Sequence, residues 1–169
     1  MNREEKQALV DELSEKFQSH NAFYITDASG MSVAKINEFR RLCFTRGLEF
    51  KVYKNTLIQK ALERQKGTDY SPLFNVLSGF SGVIFSKETG NTPAKVIREF
   101  RKKLDGKPVL KAASIKSEFY IGDENLNALA DMKSRDELIG EIIGMLQAPA
   151  RNIISALQNR KDKDAPAAE

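Results

Sequence analysis

Two hydrophobic periods alternate along the chain. Over residues 3–18, Leu9, Val10, Leu13 and Phe17 recur three or four apart and predict a helix, with Asn2 and Glu5 resembling a capping pair. AFYITD (22–27), LEFKVY (48–53) and GVIFS (82–86) are short apolar or alternating runs and predict strands. Between the first two, Ser32 is placed to cap a helix to about Arg46 that turns Val33, Ile36, Phe39, Leu42 and Cys43 inward. Gly47 then stops it. Asn55 or Thr56 is placed to cap a third helix through about Arg64, with Leu57, Ile58, Ala61 and Leu62 inward. Ser71-Pro72 opens a short helix to Leu77, and Thr92-Pro93 a longer one to about Leu104.

Residues 109–121 predict one or two strands ending at Gly122, and from there the pattern is helical only: 124–131, 135–147 and 150–160. Ser134 with Glu137 forms a capping box, and Pro149 is expected to break or kink the last two helices apart. The expected fold is therefore an α/β (mixed α+β) N-terminal lobe, with a four- or five-stranded sheet flanked by helices, plus a C-terminal all-helical arm. The expected bounds are a lobe at 1–122, an arm at 123–160 and a disordered tail at 161–169.

Charge sharpens this picture through its distribution. The net charge of the 169-residue chain is only +4. Residues 1–34 hold three Lys/Arg against six Asp/Glu, residues 35–66 nine against three, and residues 67–169 fifteen against fourteen. The basic surplus sits in one block, as expected of a footprint on a polyanion. Within that block a strand ends at Tyr53, and Lys54-Asn55-Thr56 leads straight into a helix. A helix start presents unpaired backbone N–H groups and a partial positive charge, so a lysine there makes a phosphate-binding corner. Lys60 and Arg64 share a face of that helix, Arg40 and Arg41 lie on the preceding one, and Lys51 lies on the strand between. The blander alternative is a simple helix cap beside a solvated charged face.

The run R-R-L-x-x-x-x-G-L-E-F-K-V-Y-K-N-T-L (40–57) resembles the signature of the stalk-base family of the large ribosomal subunit, its protein ten. YITDASGMSVAKINEFRR (24–41), SGFSGVIFS (78–86) and KSRDELIGEIIGMLQAPARNIISALQ (133–158) resemble further segments of that family in the same order. Gly79-Phe80-Ser81 departs from the family's Gly-Pro-Thr turn. The resemblance implies a structural constituent of the cytoplasmic ribosome whose lobe binds large-subunit ribosomal RNA beside ribosomal protein eleven. It carries RNA contact onto Lys54, Asn55 and Thr56, then Arg40 and Arg41.

In the arm, E-I-I-G-M-L-Q (141–147) and N-I-I-S-A-L-Q (152–158) repeat at an interval of eleven residues, about three helical turns. Such a wide apolar stripe has to be buried, either on the lobe or on a partner. The resemblance implies a partner: acidic stalk-protein dimers that recruit translational GTPases. Helix-in-groove anchors would be Ile153, Ile154 and Leu157, then Ile142, Ile143 and Leu146.

Little points to catalysis. His20 is the only histidine and follows a helix end, and Cys43 is the only cysteine and sits on an apolar face, which excludes an internal disulfide. No metal-ligand spacing, Walker loop or dinucleotide fingerprint occurs, so no catalytic residue, metal, cofactor or small-molecule substrate is expected. Asp27 ends a strand and reads as a loop or capping residue. No apolar run is long enough to span a membrane, and the chain starts without a signal-peptide core. A small α/β enzyme using the Lys54 corner on a phosphorylated ligand remains the competing class, and an amphipathic membrane-surface arm a third.

Overall fold

The computed structural model describes residues 3–65, 69–87, 89–102, 106–116 and 118–164, with side chains described except at 3, 157 and 159–164. The described elements are α1 (Arg3–Ser19), β1 (Ala22–Asp27), α2 (Val33–Thr45), β2 (Glu49–Val52), α3 (Asn55–Glu63), α4 (Ser71–Phe74), β3 (Gly82–Ser86), α5 (Thr92–Arg101), β4 (Val109–Ile115), β5 (Glu118–Ile121), α6 (Asn125–Asp131) and α7 (Arg135–Asp164). They divide into two compact units, residues 1–132 and 133–169. This is the mixed α/β lobe and helical arm expected from the pattern.

The strands form one sheet in the order β2-β3-β1-β4-β5. Every neighbouring pair is antiparallel, with Tyr24 opposite Ile84 on one side and Ala113 on the other. β1 is therefore central, and its run of buried residues reflects helices on both faces. Side chains alternate across a strand. Ala22 and Tyr24 join Phe39, Cys43, Ile97, Phe100 and Leu129 under α2, α5 and α6. Phe23 and Ile25 join Leu13, Phe17, Ile58 and Leu62 under α1 and α3. Aromatic rings meet edge-on in each layer, Phe39 with Phe50 at 5.2 Å and Phe17 with Phe23 at 4.7 Å.

Most local signals act as their chemistry requires. Ser32 Oγ accepts from Lys35 N, capping α2, and Gly47 follows the helix at φ +70°, a conformation that suits glycine. Ser134 and Glu137 form the reciprocal box at the start of α7, with bonds of 2.8 and 3.1 Å.

Several expectations are corrected. Val33 points outward and is 75% exposed, because it occupies the first position of α2, before the helix reaches the core. α3 is capped by Lys54, and Asn55 is its first helical residue. α6 belongs to the lobe unit, burying Leu126, Leu129 and Ala130 against the α5 layer, so the division falls after Met132 rather than after Gly122. Pro149 lies inside one continuous helix instead of separating two. It removes one backbone donor, while the rest of the hydrogen-bond ladder carries the helix on to Asp164. Asn2 and Leu104 lie outside the described residues, as does 165–169 of the expected tail, whereas residues 161–164 are helical.

Candidate nucleic-acid interface

β2 delivers the chain to Lys54, whose backbone is extended (φ −70°, ψ 136°) and whose side chain forms no cap hydrogen bond. The Lys54 carbonyl accepts from Leu57 N and Ile58 N, so the helix begins immediately after it. Lys54 makes no side-chain cap hydrogen bond to the first amides of α3, and among the described residues its exposed ammonium forms no ion pair.

Asn55 is used differently from a cap. Its Nδ2 donates to the Gly79 carbonyl at 2.9 Å, while its Oδ1 is buried with no hydrogen-bond partner. Lys111 Nζ donates to the carbonyls of Ser78 and Phe80 from the other side. The turn at 78–81 is thus pinned against the start of α3. Lys111 also pairs with Asp27 at 3.3 Å. Burial pushes the Asp27 carboxyl up, but hydrogen bonds from Ser29 and Lys111 outweigh it and hold the group below the ordinary carboxylate range. Asp27 is a loop-fastening residue, with Ser29 N donating to it at 2.8 Å.

Lys6, Gln7 and Val10 of α1 and Lys54, Thr56, Leu57 and Lys60 of α3 line an open groove of about 530 Å³. All three lysines are exposed, none forms an ion pair among the described residues, and no carboxylate lines the groove. Lys6 carried no signal in the sequence, because it lies in an acidic stretch and reaches the groove only through the packing of α1 on α3.

The remaining basic candidates are dispersed. Lys51 sits in a square of charges with Lys16, Glu12 and Glu49, at 3.3 Å from Glu12 and 3.2 Å from Glu49. Arg64 pairs with Asp11 of α1. Both fasten α1 to the strand and helix of the basic block, so their charge is already matched. Arg40 and Arg41 are exposed on α2, across the sheet from α3. Thr56 is exposed at the groove.

α7 carries the candidate docking residues. Ile142, Ile143, Leu146, Ile153 and Ile154 are all exposed, Leu146 by 77%. The Leu157 side chain lies outside those described. Helical continuity through Pro149 places the two repeats on one side of α7, offset by about 20°.

Alternative chemistry finds little support. His20 Nδ1 lies 2.7 Å from the Lys16 carbonyl at the end of α1. Cys43 is buried, and burial pushes its thiol up to about 12, the behaviour of a core residue. Among the described residues no cluster of three His, Cys, Asp or Glu could hold a metal, and no helix is long and apolar enough to cross a membrane.

Residues 1–102 match the family described as Ribosomal protein L10. The chain is 49% identical to large ribosomal subunit protein uL10 of Amoebophilus asiaticus over 96% of its own length and 93% of the relative's. It is 51% identical to the protein of that name from Flavobacterium johnsoniae, over 95% and 94%. Against the one from Bacillus licheniformis it is 35% identical, over 90% and 89%.

Proposed function

Since the chain belongs to the ribosomal protein L10 family, and so is a structural constituent of the large ribosomal subunit rather than an enzyme, we propose that its lobe grips ribosomal RNA through the Lys6–Lys54–Lys60 groove while α7 anchors acidic stalk-protein dimers. The observation that carries the RNA reading is the groove itself. Lys54 precedes the amide-rich start of α3, Lys60 lies in its last turn and Lys6 faces both from α1; among the described residues none of the three is ion-paired, and no acid lines the groove. A backbone phosphate placed there would meet the positive end of the helix and mobile cations together. Asn55 acts as a positioning residue, holding the 78–81 turn beside the groove. Thr56 offers an exposed hydroxyl at its edge. Lys51 and Arg64 brace the site from behind.

The docking reading rests on the exposed aliphatic stripe of α7. Each aliphatic side chain buried in a partner groove contributes roughly 1.5–3 kcal/mol before the costs of association. Neighbouring ribosomal protein eleven would contact the same lobe, and the place of action is the cytoplasmic ribosome.

The test is titration of the full chain with large-subunit ribosomal RNA at stepped salt. The three lysines, neutralising three phosphates, contribute roughly −2 to −3 to the log–log slope. A salt-independent affinity, or none, would overturn the RNA reading.

A further inference from the structure

α2 turns Ile36, Phe39 and Cys43 toward the sheet and leaves an outward line of Val33, Asn37, Arg40 and Phe44. Their spacing of four, three and four residues keeps them within roughly 60° of one another around the helix. Phe44 is 85% exposed and Val33 75%. A single exposed apolar side chain needs no explanation; the surroundings of Phe44 are the informative part. Arg40 and Arg41 lie four and three residues before it, so both flank the ring on the helix surface. Arg40 Nη1 reaches Asn37 Oδ1 at 3.5 Å, and neither arginine forms an ion pair among the described residues. Arg46, by contrast, is engaged by Glu99 at 3.2 Å. The α2 carboxylate, Glu38, falls about 120° around the helix from Phe44.

We propose that Phe44 is a stacking platform for an unpaired RNA base, with Arg40 and Arg41 holding the adjoining phosphates. This rests on the reading of the chain as an RNA-binding protein and adds a second contact surface, across the sheet from the lysine groove. Unpaired bases recognised by proteins stack on aromatic rings and guanidinium planes, while arginines take the backbone charge. The charge on this face argues for RNA over protein. The two α2 charges that flank the ring are both positive, and Phe44 and Val33 are about 16 Å apart along the helix with Asn37 and Arg40 between them. The line therefore offers no continuous apolar patch for a protein partner to cover.

The chain contains no tryptophan, so Phe44→Trp gives a single indole, excited selectively over the tyrosines. The full-length variant is titrated with large-subunit ribosomal RNA at low salt. The expected result is quenching of the indole at saturation, with affinity within about twofold of the wild type. Phe44→Ala, on an exposed position, should keep the wild-type circular dichroism and weaken binding by about five- to a hundred-fold. Its salt slope should be unchanged, because no charge is removed. Bound RNA without quenching, or wild-type affinity in Phe44→Ala, would overturn the platform and leave the lysine groove intact. An indole that responds to other ribosomal proteins but not to RNA would also overturn it, in favour of a protein surface. If the wild-type chain fails to bind the RNA at all, both readings fall.

Discussion

The Lys16 ammonium lies 2.5 Å from the Glu49 carboxylate, joining the last turns of α1 to the edge strand β2. Lys16 also reaches Glu12 at 3.0 Å, and Lys51 closes the square. Hydrogen bonds from Lys16 and Lys51 hold Glu12 below its ordinary range. Burial pushes Glu49 up, but the same two lysines outweigh it and leave that group lowered too. Carboxylates lowered on folding stabilise the folded state above their unfolded range, near 4.5, and lose that contribution as pH falls through their folded values. Urea midpoints should therefore fall as pH drops below about 4.5, and Glu49→Gln should fall less steeply over that window while starting lower at neutral pH. Parallel acid losses in both proteins would remove the square from the explanation.

Lys54→Glu should leave the lobe folded, since the side chain makes no hydrogen bond that α3 needs. Its RNA affinity should drop, with the salt slope reduced by roughly 0.7–0.9 for the lost phosphate contact. Lys51→Gln should change the slope little, because that lysine is matched internally. An equal effect of the two substitutions, measured by filter binding, would contradict the division between free and engaged cations.

A chain ending at Gln147 should bind fewer acidic stalk-protein dimers than the full chain while its RNA titration is unchanged. Size-exclusion chromatography with light scattering gives the mass of each complex. If the shortened chain carries the full complement of partner, Ile153 and Ile154 are not anchors.

Gly82→Ala should destabilise the lobe by roughly 1–3 kcal/mol. A Cβ at this position would stand 2.5 Å from Phe50 Cε2, and the Phe50 ring is itself held against Phe39. Phe50→Leu, added in the same chain, should recover part of the loss by making room. Denaturant midpoints decide the matter, and an unperturbed single variant would show that the ring can move aside.

β1 and β3 were legible to the residue, because an apolar run bounded by His20-Asn21 or by Gly82 has one plausible register. The start of α3 was not. Asn is a good cap by type, but here its amide is drawn away by Gly79, a partner 24 residues further on. The same distance effect hid which cations are free. Lys51 and Arg64 look as available as Lys54 until Glu12 and Asp11 arrive from α1, and Lys6 gave no hint until α1 packed beside α3. Leu126 and Leu129 carry a helical period that suits an arm or a lobe equally, and only their packing with the α5 layer decides. Pro149 does not break α7, since a long helix can absorb one missing donor.

The continuity of α7 as one helix has a geometric corollary for whatever covers its aliphatic stripe. Successive copies of the Ile-Ile-x-x-Leu-Gln motif are related by a screw of about 16 Å and about 20°. A helix with its side chains is about 10–12 Å across. Two identical guests can therefore sit shoulder to shoulder only if each presents a single slim rod to the stripe, with its bulk swung outward.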